Sequence, residues 1–123
     1  MDDMSLIPLP IDFRAKRFYA ETIYERIEEL VKNRIDNLRD NEELLITVPL
    51  LDGSRIAVEE FGFQNPGFII AYGVDSETGS SVEVYLSYMN VQLVFSVTEQ
   101  QVESNKPRRT IGFRGDWESV IQE

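Results

Sequence analysis

A chain of 123 residues holds one domain of ordinary size and is too short for two. It is 42% hydrophobic and 11% aromatic, so it can build its own core; a domain this size buries roughly two-thirds of its unfolded surface. It has no histidine and no cysteine, and a formal net charge of −10 that disfavours nucleic acid and anionic membranes as direct partners.

The missing residues remove whole classes of chemistry. Neutral-pH acid–base catalysis most often uses histidine, and thiolate catalysis needs cysteine. Ser-His-Asp and Cys-His arrangements are excluded, as are zinc sites built on His or Cys. The seven glycines are scattered at turns and strand ends, so no phosphate-binding loop is present. Only carboxylate chemistry remains, alone or with a divalent ion. The expectation is a protein that is not an enzyme and needs no cofactor. Asp2 and Asp3 precede only a short, proline-interrupted apolar run, unlike a secretory signal, and no stretch is long enough to span a bilayer. The default location is the cytoplasm.

Residues 1–12 read as an N-terminal extension. Asp12 is placed to cap a helix over 13–40, whose apolar residues Ala20, Ile23, Tyr24, Ile27, Leu30, Val31, Ile35 and Leu38 make a broad stripe. Glu28 and Lys32 sit four apart on the opposite face. From Glu42 the period changes to two. Leu44–Leu51 reads as a strand, with Pro49 suggesting an edge position. Asp52-Gly53 is a tight-turn signal, and Arg55–Phe63 returns as the hairpin partner. Ile56 and Val58 share one phase and Phe61 and Phe63 the other, which predicts a bulge at Glu59-Glu60.

Asn65-Pro66-Gly67 makes the next turn, and Phe68–Val74, apolar on both faces, reads as a covered central strand. A polar loop spans Asp75–Ser81. Val82–Tyr88 and Val91–Val97 then alternate, a pattern that fits a hairpin turning at Met89-Asn90 better than one long bent strand. Residues 98–109 form a polar loop. Thr110–Arg114 is a short strand, and Asp116–Gln122 a terminal helical turn anchored by Trp117. The sheet thus spans 42–114 and the tail 115–123. The expected fold class is α+β: one long N-terminal helix packed across an antiparallel meander sheet of about five strands.

The stretch from Asn65 to Asp75, Asn-Pro-Gly-Phe-Ile-Ile-Ala-Tyr-Gly-Val-Asp, followed by Pro107-Arg108-Arg109-Thr110-Ile111-Gly112-Phe113, resembles a family of small bacterial proteins known only as a domain of unknown function. The likeness covers about residues 53–114. A histidine often precedes the Asn-Pro pair in that family, where this chain has Gln64. The resemblance implies one domain and a bacterial or phage origin, and lends no catalytic residue.

Several clusters invite a functional reading. Asp75-Ser76-Glu77-Thr78-Gly79 faintly resembles a calcium loop, but its glycine is at the fifth position rather than the sixth, and a polar strand connection has the same composition. Adjacent acids at Glu28-Glu29, Glu42-Glu43 and Glu59-Glu60 point in different directions on a helix or strand, so adjacency does not make a catalytic pair. Lys106, Arg108, Arg109 and Arg114 form a basic cluster, and Arg14, Lys16 and Arg17 another. Each is able to grip an anion or contact a partner; pairing within the chain is the plainer account. Tyr85 and Tyr88 have the composition of ordinary sheet cover.

Charge is distributed unevenly. Residues 41–104 carry ten acids and one base, Arg55, a balance of −9, while 13–40 and 105–123 are each +1. Charged sheet residues ordinarily keep edges from pairing with other chains. The functional alternative is an acidic surface carrying Glu59, Glu60, Asp75, Glu77 and Glu83 that docks a basic protein partner, with Arg108, Arg109 and Arg114 as anion or partner contacts. The sequence therefore favours a non-catalytic protein–protein interaction module, with a homo-oligomer among the possibilities. An inhibitor or immunity-type protein that blocks a basic nucleic-acid-handling enzyme is a sharper version. A carboxylate or divalent-metal-dependent hydrolase and a structural subunit of a bacterial or phage assembly are the alternatives.

Overall fold

The computed structural model describes residues 19–99 and 109–116. The capping role of Asp12, the helix over 13–18, the basic residues Arg14, Lys16, Arg17, Lys106 and Arg108, and the Trp117 tail lie outside the described residues.

Helix α1 (Tyr19–Asp36) buries Ala20, Tyr24, Ile27 and Val31, the centre of the apolar stripe, while Leu30 at its margin is 54% exposed. The Ala20 N–H donates to the Pro66 carbonyl at 3.0 Å, and the Glu21 N–H donates to Asn65 Oδ1 at 3.2 Å. Those bonds satisfy first-turn N–H groups that a helix leaves open, and they fasten the helix to the turn at the cis Asn65–Pro66 bond. The helix ends at Asp36, four residues short of the predicted 40. Asn37 and Leu38 donate to carbonyls three residues back, and the Asn37 side chain donates to the Asn33 carbonyl, tightening the final turn.

The strands are β1 (Glu42–Pro49), β2 (Arg55–Gln64), β3 (Phe68–Asp75), β4 (Ser81–Ser87), β5 (Val94–Glu99) and β6 (Gly112–Asp116). The sheet order is β4-β3-β2-β1-β5, and β6 also pairs with β2. Among the described residues, one helix on this largely antiparallel sheet makes an α+β arrangement, as the periodicities predict. β1 to β4 follow one another as neighbours. The turn at Met89-Asn90 closes with Asn90 donating to the Ser87 carbonyl, but it makes no hairpin. The chain instead crosses to the far side of the sheet, where β5 pairs with β1 from Glu42↔Glu99 to Thr47↔Val94. β1 is consequently no edge strand. Pro49 is tolerated because β5 pairing has ended at Thr47, leaving no ladder on the side where its N–H would point.

β2 carries the predicted bulge, a register shift between Val58 and Glu60. The bulge divides the strand's second edge. Arg55–Ala57 pair with β1, whereas Glu60–Phe63 pair with β6, which runs parallel to β2. The sheet therefore forks at Glu59. The parallel β6 occupies the place where an antiparallel closing strand over Thr110–Arg114 was expected, starting two residues later. Gly73 in β3 lies opposite the bulge, and a Cβ there would run into the Ala57 carbonyl, so only glycine fits.

The core lies between α1 and one sheet face. Tyr24, Ile27 and Val31 meet Leu44, Ile46, Val48, Ile56, Val58, Phe61, Phe63, Ile69 and Ala71. Each fully buried large apolar side chain contributes about 1.5–3 kcal/mol. The Tyr24 ring packs on Phe63 at 4.8 Å and edge-on to Phe113 at 5.7 Å, while Phe113 stacks on Phe61, tying helix, β2 and β6 together. The Gly115 N–H donates to the buried Tyr24 hydroxyl at 2.9 Å. Burial pushes the Tyr24 phenol above its ordinary value, with Glu28 adding to the shift and the Gly115 bond opposing it.

Candidate functional site

The face of the sheet turned away from α1 carries the most organised polar cluster among the described residues. Cross-strand pairing puts Glu60 of β2, Tyr72 of β3 and Glu83 of β4 directly opposite one another in a row. Because side chains alternate along a strand, all three project from the outer face, as the inner face is taken by Phe61, Ala71 and Val84. Arg114 of β6 completes the row. Its guanidinium donates to Glu60 Oε1 from Nη2 at 2.9 Å and from Nε at 3.3 Å. It also lies 3.9 Å above the centre of the Tyr72 ring, a cation–π contact. The sheet fork makes room for this arrangement. Gly112 sits opposite Glu60, and a Cβ there would come within 2.9 Å of the Glu60 Cγ.

The row lines a shallow cleft of about 390 Å³, together with Glu59, Gly73, Ser81 and Val82. Glu59 is the bulged residue and is exposed. Beside the cleft the Tyr85 hydroxyl donates to Glu83 Oε1 at 3.2 Å, and the Tyr85 ring meets Phe68 edge-on at 6.1 Å. Phe68 is 43% exposed and Tyr85 50%. Burial pushes the Tyr72 phenol above its ordinary value, although Arg114 pulls it the other way. Burial and the Glu83 bond likewise raise that of Tyr85. Both hydroxyls are therefore neutral donors at physiological pH. Three carboxylates against one guanidinium leave the cleft net negative, suited to a cationic side chain and its apolar stem.

Three of the five acids expected on a docking surface, Glu59, Glu60 and Glu83, come together here. Asp75 and Glu77 do not. Asp75 Oδ1 accepts the N–H groups of Glu77 and Thr78, so that carboxylate shapes the β3–β4 turn, which the Gly79 N–H closes on the Asp75 carbonyl. Among the described residues no three acids converge on a metal position. Of the basic residues, Arg114 is engaged with Glu60 and Tyr72, whereas the Arg109 N–H donates to Glu43 Oε2 at 2.9 Å, away from the cleft. Arg108 lies outside the described residues. Sequence reasoning missed Tyr72. Its only signal was a polar-tipped aromatic in an otherwise apolar strand. Tyr88 packs against Tyr19 at 4.8 Å, on the helix side of the molecule. No helix among the described residues is long and apolar enough to cross a membrane.

Comparison of the chain with protein-family models, with curated proteins and with solved structures finds no match. The resemblance carried by residues 65–75 and 107–113 rests on those two stretches alone.

Proposed function

We propose that this domain is a non-catalytic protein–protein interaction module whose outer sheet face receives a basic segment of a partner. The observation that carries the reading is the convergence of Glu59, Glu60 and Glu83 around Tyr72, next to the exposed rings of Phe68 and Tyr85. Aromatic anchors beside charge are the composition of interface hot spots, and a net negative cleft steers a basic partner toward itself. An inhibitor of a basic nucleic-acid-handling enzyme is the sharper form of this proposal, since such an enzyme offers the matching charge. The hydrolase reading is less favoured because Asp75 serves its own turn. The subunit reading has no observation of its own.

Titration of the isotope-labelled protein with an arginine-rich peptide tests the proposal. Amide shifts confined to Glu59, Glu60, Tyr72, Glu83 and Arg114 are expected, fading as salt rises from about 0.05 to about 0.5 M. Glu59→Gln with Glu83→Gln should weaken binding about tenfold while leaving the Glu60–Arg114 pair intact. Shifts scattered over all the acidic surface, or no shifts, would overturn it.

A further inference from the structure

β4 ends the sheet on one side, and among the described residues no strand pairs with its outer edge. Two hydrogen bonds fix which of its backbone groups face outward. The Ser80 carbonyl accepts from the Asp75 N–H, and the Tyr88 N–H donates to the Gly67 carbonyl. Residues 80 and 88 thus face the chain's own preceding strand, and in an antiparallel ladder the even-numbered residues between them do so as well. The N–H and C=O groups of Ser81, Glu83, Tyr85 and Ser87 are left facing the open edge. That edge has no proline, no lysine and no bulge, the usual means of preventing a strand from pairing with another chain.

The side chains add a second condition. Val82, Val84 and Leu86 point to the core face but are only half-buried, since α1 packs on β1, β2 and β3. On the other face Glu83 is the single charge, flanked by Ser81 and Tyr85.

We propose that β4 pairs antiparallel with β4 of a second copy of this chain about a twofold axis at Val84. In that register Glu83 faces Tyr85 of the second copy and Ser81 faces its Ser87. Both are hydrogen-bonded pairs, so every edge-facing N–H and C=O finds a partner. Val84 faces its own counterpart and Val82 faces Leu86 in the closer, non-hydrogen-bonded pairs, which completes the half-buried apolar row. The Glu83–Tyr85 match already exists within each strand, where the Tyr85 hydroxyl donates to Glu83. Centring the axis on Glu83 would oppose two carboxylates. Centring it on Tyr85 would carry Ser81 past the end of the facing strand. The pairing does not depend on the acidic cleft, and a failure of peptide binding would leave it standing.

The absence of cysteine makes the test direct, because one introduced thiol is the only one in the chain. Val84→Cys places two sulfurs across the axis at a spacing a disulfide can bridge, whereas Val82→Cys leaves them roughly 14 Å apart. Oxidative dimer formation is expected to be at least about tenfold faster for Val84→Cys than for Val82→Cys, each checked by circular dichroism for folding. Val84→Lys and Val84→Glu should each be monomeric alone and form a dimer when mixed, a result that does not depend on the thiol variants folding. Equal cross-linking at the two positions, or a wild-type protein that sediments as a monomer up to about 1 mM, would overturn the proposal.

Discussion

On the face of β2 that meets α1, Ile56, Val58, Phe61 and Phe63 each keep 7% exposure or less. On the other face of the same strand Glu60 lies in an open row with Tyr72, Glu83 and Arg114. The inner face is held by burial, which is non-directional and scales with apolar area. In that row the outer face is held by pairing between charged and aromatic groups whose heads remain in contact with water, where each interaction is weak. The two sides of one strand are thus held by different forces.

Four substitutions would break or sharpen this division, and their effects are expected to fall in order. Phe61→Ala, which empties a fully buried ring site stacked on Phe113, should cost about 3–5 kcal/mol in urea unfolding. Gly73→Ala, which drives a methyl into the Ala57 carbonyl at the bulge, should cost about 1–3 kcal/mol by the same measurement. Tyr24→Phe leaves the Gly115 N–H without its acceptor and should cost roughly 1–2 kcal/mol. Arg114→Ala, on the outer face, should cost less than about 1 kcal/mol, since both partners of its ion pair are more than a third exposed. A double-mutant cycle with Glu60→Gln isolates that pair, and a coupling well above this value would place the outer row among the elements that hold the fold.

Tyr24 also gives the division a pH signature. Its phenol is raised in the folded chain, so the unfolded chain loses that proton first as pH climbs. Its contribution is fully present below the ordinary phenol value of 10.0 and is lost as pH rises from there through the folded value. Unfolding midpoints followed into the alkaline range should fall less steeply in Tyr24→Phe than in the wild type.

The sequence carried local information well. The three- and four-residue steps from Ala20 to Val31 mark the buried stripe of α1, and the phase change between Val58 and Phe61 locates the bulge. What it could not carry is which edge a strand joins. Alternation in Val91–Val97 fits pairing with β4 as well as with β1, and only the tertiary arrangement selects β1. The same limit hid the cleft. Glu60, Tyr72, Glu83 and Arg114 are scattered over more than half of the described chain, and they meet because cross-strand register aligns them. Asp75 and Glu77, by contrast, lie in one short stretch of sequence but apart from that row, in the β3–β4 turn that the Asp75 carboxylate braces.

The fork at Glu59 has a consequence in time. Half of one edge of β2 is closed by β1, its immediate predecessor in the chain, but the other half waits for β6. Joining Gly112 to Glu60 closes a loop of about fifty residues, whose entropy must be given up before the parallel ladder returns anything. As the chain leaves the ribosome, Glu60–Phe63 have β3 on one side and nothing on the other until residues 112–116 emerge. The last of the described strands is thus the one that seals the middle of the sheet.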